Sequence, residues 1–154
     1  DTGAGISDAV LEFLVASGEI LLVTTPEPTS ITDSYSLLKA LYRHPRFDEN
    51  TTKVKMVANR VAKESEGEIL FNKLNAVVAR YLKIPMTYLG SVPEDVQLAR
   101  AVMQQMPVSI QNPGAKSTAA YEKIVQKLMG KEEEERQPRR GMAAFFSHIL
   151  ERRN

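Results

Sequence analysis

The chain has 154 residues and a net charge of +1, from 20 Lys and Arg against 19 Asp and Glu. Its 43% hydrophobic and 25% charged residues suit one globular domain, and exclude wholesale disorder, collagen-like repeats and a field that demands nucleic acid. The absence of cysteine, two distant histidines (His44 and His148) and no apolar run near the roughly 18–20 residues of a membrane span point to a cytoplasmic-type domain without disulfides, thiolate chemistry or a histidine-rich metal site.

Asp1-Thr2-Gly3-Ala4-Gly5 is a run of small, turn-forming residues leading into Ala9, Val10, Leu11, Phe13 and Leu14. It reads as a loop entering a helix over roughly 5–17. In α/β proteins such a loop hangs from the carboxyl end of a strand, and none precedes it here, so the sequence reads as a piece of a larger domain. Gly18 stops the helix. Residues 19–25 are a short, apolar, β-rich run expected to form a strand buried on both faces, closed by Pro26 and Pro28. Thr29, Ser30 or Thr32 then caps a helix carrying Tyr35, Leu38, Leu41 and Tyr42 on one side and ending near His44-Pro45. After a polar loop at 46–52, Val54, Met56, Val57 and Val61 mark a second strand with Asn59-Arg60 at its carboxyl end.

Ser65-Glu66-Gly67-Glu68 opens the longest helix, in which Leu70, Leu74, Val77, Val78 and Tyr81 recur at three and four residues until Pro85 ends the element. Residues 87–92 form a third, weaker strand. Pro93-Glu94-Asp95 turns into a helix bearing Val96, Leu98, Ala99, Val102 and Met103; 107–113 are loop, and 115–129 a last amphipathic helix before Gly130. Strands alternating with helices of this length imply βαβ crossovers and a parallel sheet. The expected fold is α/β, a partial parallel sheet of three strands with flanking helices over 1–129. Three strands make a half-built sheet, so an edge or a face should be left unsatisfied and favour self-association.

Residues 130–138 read as a charged linker and 139–154 as an amphipathic helix. Met142, Phe145, Phe146, Ile149 and Leu150 form one stripe bracketed by arginines, which suits a helix lying on anionic lipid headgroups. The same period fits a terminal helix docked in a groove of its own domain or of a partner. A membrane contact of about 14 residues is weak and reversible.

Four segments, 1–5, 24–28, 59–60 and 92–95, fall at the carboxyl ends of strands in this reading, the edge where open α/β sheets bind ligands. Asp1 before small residues and a helix start can orient a metal-bound water, with glycine amides facing phosphate, or form an ordinary turn. The Asn59 amide can read a base edge, or simply make a turn. Glu132 to Glu135 read as a solvated run.

Together these segments carry a family resemblance. Asp1-Thr2-Gly3-Ala4-Gly5-Ile6 followed by Val23-Thr24-Thr25-Pro26-Glu27-Pro28-Thr29-Ser30-Ile31-Thr32-Asp33 resembles the MinD/ParA-type P-loop ATPases, whose domain is Rossmann-like. Val57-Ala58-Asn59-Arg60-Val61 with Glu66-Gly67, and Gly90-Ser91-Val92-Pro93-Glu94-Asp95, resemble the branch that regulates flagellar number and placement (FlhG, YlxH, FleN). The likeness covers essentially the whole chain. It implies an ATP-dependent dimerisation switch in the cytoplasm, reversibly peripheral on the inner face of the cell membrane. By resemblance Asp1 belongs to the magnesium and water network, Gly5 to the nucleotide-binding turn, Asn59 and Arg60 lie beside the adenine, and Pro93, Glu94 and Asp95 form a second loop flanking the base. Met142, Phe145, Phe146, Ile149 and Leu150 match the membrane-targeting helix. The implied cofactors are ATP and magnesium in the full-length protein. The implied partners are a second copy, the flagellar GTPase FlhF, flagellar C-ring proteins, an anionic membrane surface and, in some bacteria, a flagellar transcription activator, with no direct nucleic-acid contact.

One departure is large. The family's Gly-rich Walker A turn with two lysines has no counterpart in these residues, so the chain by itself is expected neither to hydrolyse ATP nor to bind it tightly. Two other readings stay open: a partner- or membrane-docking module with a vestigial nucleotide edge, and the cell-division site regulator MinD, which the Glu66-Gly67 context disfavours.

Overall fold

A computed structural model describes residues 6–130. The expectations for Asp1 and Gly5, for the linker beyond Gly130 and for the stripe Met142, Phe145, Phe146, Ile149 and Leu150 lie outside the described residues. The chain divides into two units, Asp1–Ile124 and Val125–Asn154, and the sheet belongs to the first. In chain order the elements are α1 (Asp8–Ala16), β1 (Glu19–Thr24), α2 (Pro28–Tyr42), β2 (Lys53–Val61), α3 (Glu64–Tyr81), β3 (Met86–Pro93), α4 (Val96–Met103), α5 (Val108–Gln111) and α6 (Lys116–Leu128).

The three strands form a parallel sheet in the order β1-β2-β3. Val23 pairs with Val57, and Val54 with Met86. The β2–β3 ladder slips twice. Tyr88 opposes Met56 while Gly90 opposes Val57, and Asn59 opposes Val92 while Val61 opposes Pro93, so Leu89 and Arg60 are each an extra residue. Gly90 has φ +146°, a conformation that a side chain would strain, which is why a glycine sits at the first slip.

One face of the sheet meets α1, α2 and α3. Ile20 and Leu22 of β1 and Val54, Met56 and Ala58 of β2 pack there with Leu38, Leu41, Leu70, Leu74 and Val78, all at most 6% exposed. Gly67, in the first turns of α3, lets that helix come close. A Cβ there would lie 1.9 Å from Ser91 Oγ, 2.5 Å from Tyr88 Oη and 3.0 Å from Ala58 Cβ. On the other face Val57, Leu89 and Val92 meet Ile124 of α6, and no β1 residue joins that cluster.

The expectation that β1 is buried on both faces is therefore wrong. Its residues alternate exposed and buried, with Leu21 50% and Val23 53% exposed. α6 reaches the β2–β3 half of the second face, and among the described residues nothing covers the β1 half. Hydrophobicity set the β character of this run, but its burial depends on where a helix about a hundred residues later comes to rest.

Two other boundaries differ from the sequence reading. α2 starts at Pro28, whose fixed φ and missing N–H suit the first helical position, so Pro28 opens the helix. Of its expected caps, Ser30 accepts a hydrogen bond from the Thr25 amide (3.0 Å) and Thr32 donates back to the Pro28 carbonyl (2.9 Å), while Glu27 occupies the N-cap without a capping bond. The expected loop at 107–113 contains α5, four residues long and too short to show a period; its Val108 is buried with Ala101 and Ala115. No helix among the described residues is long and apolar enough to cross a membrane.

Candidate functional site

Parallel pairing brings the carboxyl ends of all three strands to one edge, and the loops that leave them carry the candidate residues. The first loop, after β1, is anchored by a buried hydrogen bond between Thr24 Oγ1 and Ser34 Oγ (2.6 Å) that ties α2 to the strand end. Beside it opens a cleft of about 610 Å³ lined by Thr25, Glu27, Thr29, Ser30 and Asp33, with Ile6 and Val23 among its apolar walls. The Thr25 hydroxyl is buried and has no hydrogen-bond partner among the described residues. A buried polar atom without a partner costs about 1–3 kcal/mol, so it marks a place where a ligand atom would be welcome.

The second loop is the end of β2. Asn59 Oδ1 accepts a hydrogen bond from the Arg60 amide (3.0 Å), which leaves the Asn59 amide nitrogen without a bond among the described residues. Arg60 has φ +56°, unusual for a residue with a side chain, and its guanidinium reaches sideways over the edge. Nη1 lies 3.5 Å from Glu27 Oε1, and Nη2 lies 3.5 Å from Glu94 Oε1.

The third loop follows β3. Its Glu94 amide donates to the Val61 carbonyl (3.0 Å), which seats the loop against the end of β2. Asp95 Oδ1 caps α4 by accepting from the Gln97 amide (2.8 Å), while Oδ2 accepts from the amide (3.0 Å) and the hydroxyl (2.9 Å) of Ser117. One carboxylate thus serves the amino termini of two helices. α6 needs the help, because Ala115, just before its first residue, has no side chain able to cap. The Ser117 amide above all, then the Gln97 amide, holds the Asp95 carboxyl below the ordinary aspartate range.

Of the residues expected at the site, Asn59, Arg60, Pro93 and Glu94 come together at this edge. Asp95 is adjacent, with both carboxylate oxygens turned to the helices. Thr25 and Glu27 belong to the 24–28 segment expected at this edge, but neither has a role of its own in the sequence reading; the cleft and the Arg60 contact single them out. Ser117 had a faint signal, a helix starting without a capping residue of its own. No group of three or more His, Asp or Glu able to hold a metal ion occurs among the described residues.

A three-stranded parallel sheet flanked by helices, with its loops gathered at the carboxyl edge, defines an α/β architecture consistent with part of a Rossmann-like P-loop nucleoside triphosphatase domain. No family model matches the chain. It is 40% identical over 128 residues to the antiactivator FleN of Pseudomonas aeruginosa, covering 83% of this chain and 44% of that protein. It is 29% identical over 153 residues to the flagellum site-determining protein YlxH of Helicobacter pylori (97% of this chain, 50% of that protein), and 31% identical over 137 residues to the septum site-determining protein MinD of Escherichia coli (86% and 48%). The chain belongs to the MinD/ParA-like family, among relatives whose names refer to flagellum and septum placement. It spans about half the length of the curated relatives it matches.

Proposed function

We propose that this chain supplies the base-binding side of a MinD-like ATPase that regulates flagellar number or placement, by ATP-dependent dimerisation and reversible membrane binding. The observation that carries the reading is the meeting of Asn59-Arg60, Pro93-Glu94 and the Thr25 cleft at one carboxyl edge of a parallel sheet. The similarity to FleN supports the flagellar role over septum placement, FleN being 40% identical where the MinD of Escherichia coli is 31% and YlxH 29%.

The residues present fit the base end of ATP. The Asn59 amide nitrogen is a donor for a base edge, Pro93 offers an apolar wall beside it, and the orphaned Thr25 hydroxyl can donate to a ligand oxygen in the cleft. Bound ATP with magnesium would supply the phosphoanhydride whose hydrolysis resets the switch. Asp1 and Gly5 are proposed for the magnesium and phosphate end, and Met142, Phe145, Phe146, Ile149 and Leu150 for the membrane, with a second copy, FlhF and C-ring proteins as partners.

The test is calorimetric titration of the full-length gene product with ATP and GTP. Asn59→Ala should weaken ATP by roughly three- to tenfold, the worth of one hydrogen bond, and erode the preference over GTP. Wild-type protein that ignores millimolar ATP would overturn the proposal. Flagella counted per cell after deletion of the gene, with and without the Asn59→Ala allele, connect the site to the biological role.

A further inference from the structure

We propose that Arg60 is a positioning residue: its guanidinium ties the β1–α2 loop to the β3–α4 loop and so sets the width of the slot between them. As a statement about a nucleotide site this rests on the function proposed above; as a statement about loop spacing it does not. Three observations converge on it. Arg60 is the extra residue of the second ladder slip, and such bulges re-aim a side chain away from the sheet's alternation. Its φ of +56° is accompanied by the bond from its own amide to Asn59 Oδ1 (3.0 Å), so the neighbouring side chain braces the arginine backbone. Glu27 occupies the N-cap of α2, where Ser, Thr, Asp or Asn would bond the helix, yet it makes no capping bond and contacts Arg60 instead.

The geometry needs a fork. Separate nitrogens reach separate loops, Nη1 to Glu27 and Nη2 to Glu94, each at 3.5 Å. A planar guanidinium holds two carboxylates apart at a fixed span, whereas a lysine ammonium concentrates its donors at one point. Without the arginine, Glu27 and Glu94 face one another across the slot as like charges, with Asp33 further along the cleft. The neighbouring Asp95 keeps its charge and directs its carboxylate oxygens to Gln97 and Ser117. All three members of the bridge are well exposed, Arg60 by 59%, so it contributes little to global stability and acts on the local opening of the two loops.

Amide hydrogen exchange on the full-length gene product, without nucleotide, reads this directly. The reporters are the amides of Thr25 and Ile31 for the first loop and of Glu94 for the second, each hydrogen-bonded in the structure. Arg60→Gln should speed exchange at all three by about threefold, the local equivalent of an exposed ion pair, and leave Met56 and Val57 in the sheet unchanged. Arg60→Lys should not restore protection in both loops. Glu27→Gln should affect only Thr25 and Ile31, and Glu94→Gln only Glu94. Unchanged exchange in either loop after Arg60→Gln, or full rescue by lysine, overturns the bridge. ATP titration of the same samples separates the two proposals: if the exchange pattern holds but the wild-type protein does not bind ATP, the bridge stands and the nucleotide reading falls.

Discussion

Replacing Gly67 by alanine probes the close approach of α3 to the sheet. Residue 67 lies inside the helix, where alanine is favoured over glycine by about 1 kcal/mol, so helix propensity alone predicts a more stable protein. Packing predicts the opposite. The new Cβ would meet Ser91 Oγ at 1.9 Å, Tyr88 Oη at 2.5 Å and Ala58 Cβ at 3.0 Å. Ser91 can rotate away, but only by giving up its 2.5 Å hydrogen bond to Tyr88, a loss of about 1 kcal/mol. Tyr88 has less room, since its ring stacks on Phe71 at 5.2 Å, and Ala58 is a methyl group on the central strand with no freedom at all. Overpacking of this kind costs about 1–3 kcal/mol, and at the upper end of that range, with the lost hydrogen bond added and the propensity gain subtracted, the net is a loss of about 2–3 kcal/mol. Urea unfolding should show the midpoint falling with its slope unchanged. Adding Ser91→Ala to Gly67→Ala removes the closest clash and should recover about 1 kcal/mol or more, so the two substitutions should be non-additive. A Gly67→Ala protein as stable as the parent, or more so, would refute the packing argument and leave propensity in command.

Three further outcomes are expected. Asp95 has a lowered carboxyl pKa in the folded state, so the stability it contributes is complete above the ordinary aspartate range and is lost as pH falls through the folded-state value. Asp95→Asn places an amide donor against the Ser117 donors, and thermal melts from about pH 7 to about pH 3 should show the gap between the two proteins closing on acidification; a gap independent of pH would contradict the double-cap role. Leu21→Lys with Val23→Lys changes only exposed β1 positions, and should lower the sedimentation-detected self-association of the purified chain with little change in melting temperature; destabilisation by more than about 1 kcal/mol would mean that this face is covered. Phe145→Glu with Phe146→Glu should abolish flotation of the full-length gene product with anionic vesicles, and equal flotation of both proteins would remove the stripe from the membrane proposal.

Much of the secondary structure was legible in the sequence because its signals are local. The run Val54, Met56, Val57 and Val61 reads as a strand from its own composition, and the spacing of Leu70, Leu74 and Val78 reads as one buried helical side without reference to anything else. The alternation of such segments was enough to imply parallel pairing, and parallel pairing enough to place Asn59-Arg60 and Pro93-Glu94 at one edge. What the residues do at that edge was decided by the tertiary structure. Arg60 finds Glu27 across 33 positions of chain, and Asp95 finds Ser117 across 22, through ladder slips and helix placements that leave no periodic trace. The exposure of Leu21 and Val23 has the same origin, since the helix that covers the second face of the sheet reaches Val57 and Leu89 but not β1. A pattern of apolar residues states which side of an element avoids water; which neighbour covers that side, and which distant carboxylate meets a given cation, is set only when the elements pack.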